Sequence, residues 1–312
     1  MEFEVTILGS NSAIPAHGRN QTSQLVNIAN NYLLIDCGEG TQIQLRKFKL
    51  KFSKIDFIFI SHLHGDHYFG LMGLLSSFHL HKRTRLLTVF GPQGLDEIIT
   101  VQLKHSNTRL NFPLRFVPTN PDQKELIVEE QNFRVFSFPL KHRLPCTGFL
   151  IQEKHGLRNL IKQKLEGKRM SLEAINSLRE GKDFLDEDGK VIFAAADYTY
   201  PPKPERSYAF CSDTIYDPEL TQFIKGSDLL YHEATFGNEE EERAKDTFHS
   251  TAAQAAKIAA AANVGQLLLG HYSTRYLDLQ PILEEAKAHF PTCLLSEEGI
   301  TYSVSHRLHP ES

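Results

Sequence analysis

Between residues 62 and 67 the sequence reads HLHGDH, which sets His62, His64, Asp66 and His67 on one short loop. Four metal-ligating side chains in six residues is a dense arrangement. His62 and His64, two apart, point the same way from an extended turn, and Gly65 lets the backbone bend so that Asp66 and His67 face a second point nearby. Two metal centres sharing a loop is the chemistry this spacing suggests. A catalytic zinc keeps about three protein ligands and an open position for water, so a pair of ions needs donors from elsewhere. His142 after FRVFSFPLK, Asp213 after YAFCS and His271 after QLLLG are the candidates, because each stands where an apolar strand run stops. Taken singly each is an ordinary polar strand end. Taken with the loop they complete a ligand set.

The elements that must position these residues are short. Strands are expected at 5–9, 31–36, 55–60, 86–90, 133–138, 208–212, 229–233 and 266–270, each an apolar run closed by a turn, with helices over 68–80, 93–104, 250–262 and 281–289. The helix at 250–262 has Ser250 or Thr251 to cap it and a run, AAQAAKIAAAA, of high helix propensity. Apolar runs alternating with helical patterns indicate an α/β protein of stacked sheets whose site lies at the strand ends. Residues 154–190 depart from this pattern. They are charged, lack β-branched runs, and read as two short helices, 157–166 and 171–180, around Gly167. Within them, 154–182 carries eight basic residues against three acids, a local charge of +5 in a chain whose formal net charge is −4.

With H-x-H-x-D-H followed by a spaced His, Asp and His, the sequence resembles the metallo-β-lactamase superfamily. Within it the match is to ribonuclease Z, carried by LGSNSAIPAHGRNQTS (8–23), LLIDCGEGTQIQL (33–45), HEATF (232–236), the H-S-T of His249 to Thr251, and GHYSTRY (270–276). The resemblance implies a four-layer αββα sandwich, a single domain over 1–312 with a helical tRNA-binding arm inserted at about 150–200. It places one zinc ion on His62, His64 and His142, the other on Asp66, His67 and His271, and Asp213 between them. Two ions about 3.5–4 Å apart activate water and stabilise both oxygens of an in-line displacement. The implied reaction removes the 3′ trailer from precursor tRNA and leaves a 3′-hydroxyl. Asp66 is the proton acceptor in this scheme, and His249, oriented by Glu233, the donor to the leaving oxygen. His249 precedes a helix N-terminus, which lowers an imidazole pKa, so it needs a carboxylate partner to stay protonated. The arm cations Lys162, Lys164, Lys168 and Arg169, together with Arg275, are the expected RNA contacts. His17, Arg19 and Asn20 resemble the family's substrate-side loop, and serve equally well as a plain turn.

Composition fits this reading. At 41% hydrophobic and 23% charged residues the chain is an ordinary globular protein. No stretch approaches the roughly 20 apolar residues of a membrane helix, and the start MEFEVTILGS has acids where a signal peptide carries positive charge, so the cytoplasm is the expected location and no membrane partner is expected. Cys37, Cys146, Cys211 and Cys293 form no C-x-x-C pair and are expected as buried thiols. The expected partners are precursor tRNA, with no DNA, and a second copy of the chain in a homodimer. Two other classes compete: a hydrolase of small phosphodiesters or thioesters on the same fold, for which a cationic arm has no use, and a non-catalytic RNA-binding relative without metals, which would not need seven ligands. His79, His81, His105, His155, His306 and His309 have no partner pattern and are expected on the surface.

Overall fold

The computed structural model describes residues 2–154 and 156–307, so His155 and His309 lie outside the described residues. The chain forms two compact units, one built from residues up to 152 and from 206 onward, the other from 153–205.

The first unit contains two seven-stranded mixed sheets. In order across the first lie Thr301–Ser303, Phe3–Gly9, Ser23–Ile28, Asn31–Cys37, Ile55–Phe59, Leu87–Gly91 and Leu114–Pro118. Across the second lie Cys293–Leu295, Gln266–Gly270, Leu229–Glu233, Ser207–Cys211, Cys146–Glu153, Phe133–Leu140 and Glu125–Glu129. Side-chain alternation explains the layering. Leu33 and Ile35 face an inter-sheet core shared with Phe149, Phe210 and Tyr231, while Tyr32 and Leu34 face helices on the outer side with Leu71, Leu74 and Phe78. The second sheet turns Leu230, Leu267 and Leu269 outward onto Ala252, Ala255 and Ala259. Two helix layers thus enclose two sheets, the four-layer αββα arrangement expected. Because both faces are covered, the strands read as nearly continuous apolar runs.

All eight expected strands form, 229–233 and 266–270 as expected and the others with an end shifted by one or two residues. The alanine-rich helix runs Ala252–Ala261; Thr251 accepts from the Gln254 backbone and Gln254 returns the bond, a capping box, while Ser250 donates instead to the Thr214 carbonyl. All four cysteines are free and buried. No helix among the described residues is long and apolar enough to cross a membrane.

The second unit is more mixed than expected. Helix Leu172–Arg179 forms, capped by Ser171, but the expected helix over 157–166 is reduced to Lys162–Leu165, and ahead of it Asn159–Leu160 is a short strand paired with Thr199–Tyr200. A further pair, Phe184–Leu185 with Val191–Phe193, and a short helix Ala195–Tyr198 complete it. Arg158 Nε donates to Thr199 Oγ1 at 2.6 Å, a bond across 41 residues that favours the strand over a local helix. Lys162, Lys164, Lys168 and Arg169 are all exposed, with Lys168 Nζ 5.3 Å from the Tyr198 ring centroid.

Candidate metal centre

Parallel strands leave the site at one edge. Ile55–Phe59 runs directly into the HLHGDH loop, and Ser207–Cys211, Leu229–Glu233 and Gln266–Gly270 deliver Asp213, Glu233 and His271 at or just beyond their carboxyl ends. His142 follows Phe133–Leu140. Each strand is held in register by its buried neighbours, so the ligand positions are fixed by core packing and not by the loops alone.

The seven expected ligands converge as two clusters. In the first, His62 Nε2 stands 2.9 Å from His64 Nδ1 and 3.5 Å from Asp213 Oδ2, and His142 Nε2 stands 3.2 Å from His64 Nδ1 and 3.8 Å from Asp213 Oδ2. In the second, His67 Nε2 lies 3.4 Å from both Asp66 Oδ2 and Asp213 Oδ1, and His271 Nε2 lies 3.4 Å and 3.2 Å from the same two oxygens. Donors about 2.0–2.1 Å from a tetrahedral ion stand about 3.4 Å apart, so both clusters have the dimensions of a zinc site. Asp213 gives one oxygen to each. The first cluster takes His62 and His64 from the loop after Ile55–Phe59, and the second takes Asp66 and His67 from the helical turn Gly65–Tyr68 that continues it; His142, Asp213 and His271 come from the second sheet.

The protons are also arranged for ligation. His67 Nδ1 donates to Asp36 Oδ2 at 2.7 Å and His142 Nδ1 to the Phe248 carbonyl at 3.0 Å, so in both rings Nε2 keeps its lone pair. Thr235 Oγ1 donates to Glu233 Oε2 at 2.7 Å and therefore accepts from His271 Nδ1 at 2.9 Å. Ser61 Oγ likewise donates to Asp36 Oδ2 at 2.9 Å and accepts from His62 Nδ1 at 3.1 Å. His67 Nε2 and His271 Nε2 are buried nitrogens with no hydrogen-bond partner, aimed at Asp66 and Asp213. Burial holds His62, His64 and His142 below the usual imidazole pKa, keeping them neutral. Burial acts the same way on His67, but Asp213, Asp66 and Asp36 outweigh it and raise its pKa, so the field at that point favours a cation. The clusters fit a metal ion on each of these grounds.

Beside them is an acid–base pair. His249 Nδ1 lies 2.9 Å from Glu233 Oε1, leaving the far side of its ring to the cleft. Burial lowers the imidazole pKa, yet the Glu233 carboxylate more than offsets this and His249 is pushed up to about 9. Glu233 is fully buried and also accepts from the Thr214, Thr235 and Ser250 amides and the Thr235 hydroxyl. His232 is buried in its strand with Nδ1 against the Glu233 carbonyl at 2.7 Å, a structural placement.

The clusters open into a cleft of about 620 Å³ whose rim carries Arg143, Arg243 and Arg275. Arg275 reaches Glu240 only at 3.7 Å. Arg19 bonds Asn11 and the Tyr276 carbonyl, Asn20 bonds Glu298, and His17 Nε2 lies 2.8 Å from the Thr274 carbonyl. Their loop meets the site through the Ala13 amide, which donates to Asp66 Oδ2 at 2.8 Å.

Comparison with known proteins places this geometry. A family model described as the anti-Pycsar protein Apyc1 matches residues 3–157, a stretch that ends before Asp213, Glu233, His249 and His271. Over the full length, the ribonuclease Z of Cytophaga hutchinsonii is 47% identical across 311 residues, covering 100% of this chain and 99% of its own, and that of Bacteroides fragilis (strain YCH46) is 45% identical across 303 residues, covering 97% and 99%. The chain belongs to the ribonuclease Z family. In three dimensions it is similar to human tRNase Z, short form, with a TM-score of 0.70 at 26% identity, covering 97% of this chain and 99% of that one.

Several groups of this ribonuclease Z site escape a reading of the sequence. Asp36, Ser61, Thr235 and the Phe248 carbonyl each orient a histidine, and two backbone conformations support them: Asp36 has φ 53° and His271 φ 59°. Non-glycine residues seldom adopt such angles, and they persist where surrounding bonds over-determine them. Gly65 does not adopt a positive φ, and the atoms a Cβ there would meet are those of the exposed Phe69 ring, 2.2 Å away.

Proposed function

We propose that this chain is the endoribonuclease that removes the 3′ trailer from precursor tRNA in the cytoplasm, leaving a 3′-hydroxyl on the tRNA and a 5′-phosphate on the trailer. The observation that carries the reading is Asp213, whose Oδ2 joins the cluster of His62, His64 and His142 while its Oδ1 lies 3.4 Å from His67 and 3.2 Å from His271 of the other, in a ribonuclease Z chain. Two zinc ions suit the imidazole and carboxylate donors, one on His62, His64, His142 and Asp213, the other on Asp66, His67, His271 and Asp213. Bound there, such a pair supplies Lewis acidity and an activated water to phosphodiester cleavage.

The chain's own groups do the rest. Asp66, against the pull of burial, is held well below the usual carboxylate range chiefly by His67 and His271, which suits a ligand more than a proton acceptor. His249, kept protonated by Glu233, gives its proton to the leaving 3′ oxygen. Lys162, Lys164, Lys168 and Arg169 form a cationic face of an RNA-binding arm, and Arg275 meets a phosphate at the cleft. The enzyme acts as a homodimer.

Incubating the zinc-loaded protein with end-labelled precursor tRNA, with and without chelator, tests the reading. One cut beyond the acceptor stem, abolished by chelator, is expected; hydrolysis of bis(p-nitrophenyl) phosphate without that cut would leave only a general phosphodiesterase. Deleting 157–182 should weaken precursor binding at least tenfold, spare the small diester, and flatten the salt dependence of binding between about 50 and 200 mM. Equal loss on both substrates would make the arm structural. Asp36→Ala should cost about tenfold to a hundredfold in metal affinity, read by competition with a chelator, because His67 loses the acceptor that fixes its tautomer. An unchanged affinity would reduce Asp36 to a purely structural bond.

A further inference from the structure

A second cavity, of about 230 Å³, borders the loops of the metal centre. Leu63, Leu144, Pro92, Pro118 and Pro145 are among its apolar lining residues. Gln93, Thr119 and Thr147 are its polar members, and no charged residue lines it among those described. We infer that this cavity seats one unpaired nucleobase of the RNA, that of a nucleotide beside the scissile phosphate, an assignment that rests on the ribonuclease reading above.

Position supports it. Leu63 sits between His62 and His64, both of the first cluster, and Leu144 follows His142 by two residues, so the cavity wall and the metal ligands are the same two chain segments. The segments are tied together where the Thr147 amide donates to the Ser61 carbonyl at 3.0 Å. Between them, Arg143 is exposed on the rim of the metal cleft, and no ion pair engages it among the described residues. His142, Arg143 and Leu144 therefore place a metal ligand, an exposed cation and an apolar cavity wall on consecutive residues.

The chemistry of the cavity narrows the occupant. An uncharged lining disfavours a phosphate or carboxylate, which would lose its hydration without a counter-ion. Drug-sized ligand pockets run to about 300–1,000 Å³, so the smaller volume suits a single ring system. Proline and leucine surfaces accept a flat ring, and the exposed Gln93 amide offers both a donor and an acceptor to a base edge. The three cleft arginines next door favour a polyanion over a protein segment as the chain that enters.

The test is an abasic scan. Precursor tRNAs with an abasic nucleotide at each of the two positions on either side of the cut are compared in the wild type, Gln93→Trp and Leu144→Ala. In the wild type one position should cost about tenfold in kcat/KM, the scale of a lost stacking contact. In Gln93→Trp, whose ring fills the mouth, intact precursor should be cut about tenfold more slowly and the abasic penalty should vanish. Leu144→Ala, which adds no ring, should reduce the penalty several-fold. The same penalty in all three proteins, or none at any position, overturns the assignment while the trailer cut stands. Absence of any trailer cut, with bis(p-nitrophenyl) phosphate still hydrolysed, removes the ribonuclease reading and the nucleobase seat with it.

Discussion

Asp213→Ala is expected to abolish cleavage, by at least about 10³-fold, and to lower the zinc content of the purified protein on both sites at once. The reason is geometric. Its Oδ2 stands 3.5 Å from His62 Nε2 and its Oδ1 3.2 Å from His271 Nε2, so one truncation leaves both clusters a donor short. Asp213→Asn separates the two contributions: one amide oxygen still suits one ion, while the amide nitrogen has no lone pair for the other. Elemental analysis should find the asparagine protein closer to one ion per chain than two. A protein that retained both ions after Asp213→Ala would show that the carboxylate is held between the clusters for some other purpose.

His249→Ala should keep its metals and still lose about 10²–10⁴-fold on precursor tRNA. The loss should depend on the leaving group. A ribose 3′ oxygen needs a proton as its bond breaks, whereas p-nitrophenolate leaves without one, so hydrolysis of bis(p-nitrophenyl) phosphate should fall by no more than a few-fold. Glu233→Gln should follow the same pattern more mildly, because the amide still meets Nδ1 but no longer holds the imidazolium. Equal losses on both substrates would point to packing instead, since the His249 ring also lies 5.3 Å from that of His142 and 5.5 Å from that of His271.

What a reader of the sequence can see of this site follows from how each residue earns its place. HLHGDH is legible because four ligands are contiguous. His142, Asp213 and His271 are legible because apolar runs end at them. Asp36, Ser61 and Thr235 are not, because they act on rings 31, 1 and 36 residues away, and a short polar residue near a strand end has many commoner duties. The fold divides in the same way. Strand Cys146–Glu153 is obscured by Gly148, which sits there because a Cβ would come within 2.4 Å of the Phe138 ring. Ser23–Ile28 carries Gln24, whose polarity suggests a loop until Tyr208 is found donating to it inside the sandwich. In the second unit the charge-rich run around Leu160 reads as helix, and its pairing with Thr199 is a long-range choice that local pattern does not encode.

Because each cluster joins donors that follow strands of both sheets, the ions would do more than chemistry: they would clamp the two sheets together along one edge. Binding free energy then becomes folding free energy, and each tenfold rise in free zinc above the dissociation constant adds about 1.4 kcal/mol per site to the folded state. Chelation should therefore lower the melting temperature, and amide exchange should quicken first at the strand ends near Phe59, Cys211 and Gly270 while the opposite edge of the sandwich stays protected.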